Sequence, residues 1–231
     1  MKKEEKKDLV LHIIEKGIGF LQMAMYAVLN EEDTEISSLT AGAMNERPAA
    51  GAAGTVADGI YVVYEDGYYE LFTSENDKEG HGGIKYIGVS YDGHAWCVSL
   101  KNLGEWPLVT DAEKCPEESK FYCTECEGLI DWEFMERTKH IQEIGTDIPL
   151  EDGEYLPSLP MLVVMCAMKK IINEAIEYAG GEPMTDDYHW SCTEFNRTLA
   201  RLVGFHNGYA TYDSKCISLV VRAVAAFPIR A

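Results

Sequence analysis

Tyr188 to Phe227 reads YHWSCTEFNRTLARLVGFHNGYATYDSKCISLVVRAVAAF, a chain of short strands and tight turns. Val203 and Phe205 alternate with Gly204 and His206, the period of a half-buried strand. Asn207-Gly208 follows as a hairpin turn, because both residue types tolerate positive φ. Leu219, Val220, Val221, Ala223 and Val224 are mostly apolar and β-prone, which predicts a closing central strand. Between turn and closing strand lies Tyr209 to Ser218, a mixture of Tyr, Thr, Asp, Ser, Cys and Ile without a clean period. A regular frame around an irregular insert predicts a binding surface carried on a scaffold.

Working outward, 231 residues with 46% apolar content suffice for one large domain, or a domain with a small appendage. The formal charge of −19 argues against sequence-independent phosphate binding and against docking on an anionic membrane, so neither a nucleic-acid partner nor membrane insertion is expected. Its plain role is solubility. Seven cysteines cannot all pair within the chain and lack the dense spacing of a disulfide scaffold. Cys123-x-x-Cys126 has ligand spacing and Cys115 lies nearby, but a structural zinc site needs four ligands, so buried thiols around a turn are the better reading and no metal or other cofactor is expected.

The first thirty residues carry Leu11, Ile14, Ile18, Leu21, Met25 and Val28 at helical spacing. Glu4, Glu5 and Asp8 spoil a signal-peptide start, and Glu15, Lys16 and Gln22 break the apolar run, so an anchoring or assembly helix and a possible homo-oligomer are expected, in a cytoplasmic or virion-associated protein. Residues 41–59 are small and Gly-rich, a linker that ends the first segment at residue 57 and starts the domain, 58–231. Ile60–Tyr64 and Tyr68–Phe72 flank Glu65-Asp66-Gly67 as a hairpin, and strands at Ile84–Val89 and Ala95–Leu100 surround Asp92-Gly93. Two helices follow, Leu129–Ile144 closed by Gly145 and Leu159–Tyr178 opened by Ser158 and closed by Gly180-Gly181.

Leu156-Pro157-Ser158, Asn173-Glu174-Ala175, Gly180-Gly181, Tyr188-x-Trp190-Ser191-x-Thr193-Glu194, Phe205-x-Asn207-Gly208 and Val221-Arg222-Ala223-Val224-Ala225-Ala226-Phe227 fall in an order that resembles the C-type-lectin-like domains of bacterial and phage proteins. That family includes the variable proteins of diversity-generating retroelements. The resemblance implies an α+β fold of the C-type-lectin kind, two helices packed on short antiparallel strands. It also implies a diversified surface toward a protein or cell-surface ligand, on a phage, prophage or bacterial protein. In such proteins, Asn codons ending in a pyrimidine are randomised at their adenines, and Lys, Glu, Gln, Met and Trp are not reached.

By the same resemblance the ligand-binding positions are Leu199, Arg201, Leu202, Gly204, His206, Tyr209, Thr211, Tyr212, Asp213, Ser214, Cys216, Ile217, Ser218 and Leu219, and all are of permitted type. Ala200, Val203, Phe205, Gly208, Lys215, Val221 and Arg222 separate them as fixed neighbours. Tyr209 and Tyr212 offer broad contact area at low entropic cost, while His206, Arg201 and Asp213 set charge preference. Arg222 is expected to pair with Glu194, and Trp190 and Trp132 to sit in the core.

No nucleophile elbow, HExxH or phosphate loop occurs, and no catalytic residue is expected. The formylglycine-generating enzymes share the lectin-like fold, but the surroundings of Cys192 and Cys216 do not resemble their motif. Met184 stands where a calcium-dependent sugar site needs an oxygen ligand. The competing class is a structural or assembly protein without a diversified site.

Overall fold

A computed structural model describes residues 56–73, 76 and 80–228, apart from the side chains of Glu125 and Cys126. The expected N-terminal helix and nearly all of the linker lie outside the described residues.

The described chain folds around one nine-stranded mixed sheet. Its strands are β1 (Gly59–Tyr64), β2 (Tyr69–Leu71), β3 (Ile84–Tyr91), β4 (His94–Pro107), β5 (Glu154–Tyr155), β6 (Tyr188–Glu194), β7 (Leu199–Gly204), β8 (Tyr209–Ser214) and β9 (Ser218–Ala226). They lie in the order β2-β1-β3-β4-β9-β6-β7-β8, with β5 paired to β9. The helices among the described residues are short: a single turn α1 (Glu125–Gly128), then α2 (Phe134–Ile144), α3 (Leu159–Ala167) and α4 (Lys169–Tyr178).

This corrects the expected fold class. The protein is β-rich, not an α+β lectin arrangement of two helices on short strands. The hairpin region and the C-terminal strands share one sheet, because β4 and β9 pair antiparallel from Trp96↔Ala226 to Pro107↔Ser218. Strand pairing between residues more than a hundred apart leaves no mark in local periodicity, which is why the sheet's extent was hidden. The second helix is also two pieces. Met168, at φ −100° and ψ 13°, ends α3, and α4 restarts at Lys169. The first helix begins at Phe134, five residues later than its apolar spacing predicts.

Other local readings hold for stated reasons. Asp92 (φ 51°) and Gly93 (φ 79°) both take left-handed backbone, matching the tight turn between β3 and β4. Gly181 is needed for space: a Cβ there would lie 2.6 Å from the Leu100 carbonyl oxygen. β9 is central and buried through Val220–Ala225, as its apolar run demands. One side of the sheet gathers Tyr61, Val63, Cys97, Ala225 and Phe227, with Phe227 edge-on to Tyr61 and Tyr69. Helix α4 packs against β1 and β3, and α3 packs against β6 and β7. Trp190 is fully buried and donates its indole N–H to the Trp106 carbonyl at 3.1 Å, whereas Trp132 is only half-buried and stacks on His94.

Charges are sealed beneath the C-terminal strands. Lys215 and Glu194 are both fully buried and ion-paired. The second Glu194 oxygen lies 3.5 Å from His140 Nε2. The Lys215 ammonium also faces Cys115 Sγ at 3.9 Å and the Tyr122 ring at 5.1 Å. Arg222, expected to pair with Glu194, instead donates to the carbonyls of Ser99 (2.9 Å) and Glu182 (2.6 Å), and burial pulls its pKa down to about 10. Its strand carries it to the β4 side of the sheet, away from Glu194.

Removing one member of a buried pair strands the other charge in the interior. Lys215→Met is therefore expected to cost about 3–5 kcal/mol, and Lys215→Met with Glu194→Leu to recover most of that loss. Urea unfolding at pH 7 of the two variants checks this; equal loss in both would refute the pairing.

Candidate functional site

The expected binding residues lie on β7, β8, the turn after each, and the start of β9. β7 and β8 form an antiparallel hairpin from Leu199↔Ser214 to Gly204↔Tyr209. Phe205 to Gly208 make the turn, where Gly208 takes φ +70° and Asn207 Oδ1 accepts from the Tyr209 amide at 2.9 Å. β8 ends the sheet and pairs with β7 alone among the described strands.

His206, Tyr209, Tyr212, Asp213, Cys216, Ile217 and Ser218 are exposed, and Leu199, Thr211, Ser214 and Leu219 are half-buried. Tyr209 is the most open large apolar residue described, at 63%. The fixed neighbours behave oppositely: Ala200, Val203, Phe205, Lys215, Val221 and Arg222 are all buried. Gly208 is the exception, held by its backbone conformation instead of by packing.

Three expected contact residues do not reach solvent. Leu202 is buried at 2%, opposite Trp190 on β6. Gly204 is buried, and a Cβ there would meet Tyr188 Cε1 at 2.8 Å and Asn207 Oδ1 and His206 Cε1 at 3.0 Å. Arg201 is 6% exposed. Its guanidinium lies 4.6 Å from the Phe195 ring centroid and 5.3 Å from that of Tyr212, and those two rings stack at 4.8 Å with 8° between planes. Arg201 therefore supports Tyr212 from within and does not set the charge preference of the surface. β7 is buried from Ala200 to Gly204, with α3 packed against it, and residue type alone could not show which strand was outermost.

A second correction concerns shape. Side chains alternate along a strand, so Tyr209, Thr211 and Asp213 share one side of β8, and Tyr212 and Ser214 share the other with Leu199. The exposed residues wrap an edge; they do not form one flat face. Tyr188, which sequence reasoning left out, joins them: it is 39% exposed and meets His206 edge-on at 5.2 Å. Its position opposite Gly204 on β6 was the only available clue, and it required knowing the register.

The scaffold beneath includes one titrating group. His189 is fully buried, stacked on Phe205 at 4.1 Å, with Nε2 3.3 Å from the Thr185 carbonyl. Burial, aided by the nearby Arg222 charge, pushes its pKa down to about 4. The ring is therefore neutral at pH 7, with Nε2–H donating to Thr185.

Burial raises the thiols of Cys97, Cys115, Cys123, Cys166 and Cys192 above their ordinary value. Cys192 is fully buried, 3.8 Å from the Phe134 carbonyl, and burial pushes its thiol well above the ordinary value. Cys216 is exposed on the turn after β8. Cys123 lies 2.9 Å from Arg137 Nη2 and Cys115 faces Lys215, so each has a cation where a metal would need free approach. No group of metal-binding side chains occurs among the described residues. A shallow cavity of about 340 Å³ is lined by Lys120, Phe121, Glu136, Lys139, His140 and Glu143, none of them an expected contact residue. No described helix is long and apolar enough to cross a membrane.

Comparison with known proteins gives no matching family model, no matching curated protein and no matching solved structure.

Two outcomes follow from burial. Leu202→Ala is expected to cost about 2–5 kcal/mol, whereas Thr211→Ser, Asp213→Ser and Cys216→Ser should each stay within about 0.5 kcal/mol of the parent. Denaturant titrations separate the groups; comparable losses at Asp213 and Leu202 would remove the distinction between frame and surface.

His189 takes up a proton near its ordinary 6.5 when unfolded but only near 4 when folded. The unfolded state thus binds more protons between those values, so this contribution is whole above pH 6.5 and is lost as pH falls toward 4. The parent should lose on the order of 3 kcal/mol more than His189→Gln across that window. Parallel stability–pH curves would show that the imidazole is not responsible.

Proposed function

We propose that this chain is a non-enzymatic binding protein whose β7–β9 edge carries exchangeable side chains toward a protein or cell-surface ligand. In this reading the exchange is the work of a diversity-generating retroelement in a phage, prophage or bacterial genome. One observation carries it. Along Leu199–Arg222, every fixed neighbour but Gly208 is buried, while seven of the fourteen residues of permitted codon type are exposed and four more are half-buried. Folding alone accounts for burial of the first group. It gives no reason for an exposed series as mixed as His, Tyr, Tyr, Asp, Cys, Ile and Ser.

The scaffold for this role is the nine-stranded sheet. The exchangeable set is His206, Tyr209, Thr211, Tyr212, Asp213, Ser214, Cys216, Ile217 and Ser218, flanked by half-buried Leu199 and Leu219. Tyr209 and Tyr212 supply rigid area with a polar tip, the chemistry that makes tyrosine a versatile contact residue. The buried thiol of Cys192, together with the distance in exposure between it and Cys216, supports a binding role over thiol chemistry.

Two measurements test the proposal. The genome should hold a near-repeat of the segment encoding Leu199 to Phe227, differing at template adenines and lying beside a reverse transcriptase. A library randomised at His206, Tyr209, Thr211, Tyr212, Asp213, Cys216, Ile217 and Ser218 should remain folded in most members, with melting temperatures within about 4–8 °C of the parent, and should yield binders to unrelated protein targets. A library that mostly unfolds would refute an exchangeable surface. A genome without such a repeat would reduce the protein to an assembly component of fixed sequence.

A further inference from the structure

The backbone of β8 carries information that its side chains do not. In the β7–β8 ladder, Lys215 N–H donates to the Thr198 carbonyl at 2.9 Å, which makes Leu199↔Ser214 a pair without mutual hydrogen bonds. Counting along the register, Arg201↔Tyr212 and Val203↔Ala210 are of the same kind. The β6 side agrees: the Leu199 carbonyl accepts from the Phe195 amide and the Arg201 carbonyl accepts from Ser191 Oγ, so both turn away from β8. The N–H and C=O groups of Ala210 and Tyr212 therefore point outward, along the edge that no described strand covers. Ser214 is already occupied there, its N–H bonded to Asp213 Oδ1 and its carbonyl accepting from Ile217 N–H.

Open edges are normally blunted by lysine, proline, a bulge or shortness. The opposite edge strand, β2, has only three residues. β8 has six, YATYDS, with no proline, no lysine and no register break against β7. The nearest lysine, Lys215, is turned inward and fully buried. Tyr209 and Tyr212 project from opposite faces of β8, Tyr209 largely open and Tyr212 with its ring stacked on Phe195.

We propose that β8 is a strand-addition site for an extended, cationic polypeptide segment of a partner protein. This rests on the binding role proposed above and names its mode: main-chain pairing to Ala210 and Tyr212, with the open Tyr209 ring available to one face of the added strand. Charge selects the occupant. The chain has 39 acidic and 20 basic residues, a formal charge of −19, and Asp213 is exposed on the edge itself. A second copy brings the same negative charge and is repelled, whereas a Lys- or Arg-bearing strand is attracted.

The test uses the full chain and a labelled Thr-Lys-Val-Lys-Thr-Lys-Val-Lys peptide, read by fluorescence anisotropy at low salt. Ala210→Pro removes an outward N–H that takes no part in the β7 ladder, so it blocks the edge while leaving the hairpin bonds in place. The lysine peptide should bind, and its affinity should fall at least about tenfold with Ala210→Pro, with a peptide N-methylated at alternate residues, and with glutamate in place of lysine. The N-methylated peptide is tested on the unaltered protein, so the result stands even if Ala210→Pro perturbs folding. No binding of the lysine peptide, or equal binding of its N-methylated form, overturns strand addition. Sedimentation showing a dimer that Ala210→Pro dissolves also overturns it, in favour of a second copy. A library that fails to fold alongside a peptide that still binds would sink the exchangeable surface and spare the edge; the reverse pattern would sink only the edge.

Discussion

One sealed ion pair governs the C-terminal half of this protein. Lys215 sits in the turn between β8 and β9, where Cys216, Ile217 and Ser218 all face solvent, yet its side chain runs inward to Glu194 at the end of β6. An ammonium at full burial is tolerated only where its donors are met. Here a carboxylate, a thiol and an aromatic face surround it, while His140 Nε2 stands 3.5 Å from the other carboxylate oxygen without hydrogen-bonding it. The turn is thereby fixed from within. At the hairpin's other end, Gly208 and the Asn207 side chain hold the β7–β8 turn through the backbone. The first anchor uses no exposed side chain, and the second uses only that of Asn207, which is not one of the candidate contact residues.

The same division explains the residues that do not fit. Arg201, Leu202 and Gly204 lie in a continuous buried run from Ala200 to Phe205, on a strand one place in from the edge. Arg201 meets the difficulty of a buried guanidinium by lying over the Phe195 and Tyr212 rings. That links an exposed residue to an interior one. Tyr212 is consequently the member of the surface set whose exchange reaches furthest inward, and Asp213, whose side chain bonds only to the adjacent Ser214 amide, is among those with the shortest reach.

Much of the local structure was legible in the sequence because it rests on local causes. Asp92-Gly93 makes its turn from backbone preference, Gly145 and Gly180 end their helices with positive φ, and the apolar run of β9 marks a strand with no solvent face. The arrangement of strands was not legible, since β4 and β9 find each other across the whole domain. That single pairing turns an expected lectin-like α+β layout into a continuous sheet. The partner of Glu194 was hidden for the same reason. Arginine near a closing strand is a reasonable guess for a buried carboxylate, but the register sends Arg222 toward Ser99 and Glu182 and leaves Lys215, seven residues earlier, to fill the role. Among candidate binding residues, type and spacing identified the hairpin, while depth within the sheet decided which of its residues are exposed.

Position in the sheet also sets how freely each strand can vary. β9 packs between β4 and β6 and is buried through Val220–Ala225, so any change there meets neighbours on both faces and in the plane. β7 retains both faces but gives up nothing in the plane, because β8 covers it. Of these three strands, only β8 lacks a second neighbour among the described strands, and both of its faces are partly open. A substitution's cost therefore drops at β8, the edge strand. The same missing neighbour leaves the outward amides of Ala210 and Tyr212 unpaired by β7. The strand most tolerant of side-chain exchange is thus the strand whose backbone is most open to a partner, and main-chain pairing persists when the side chains around it change.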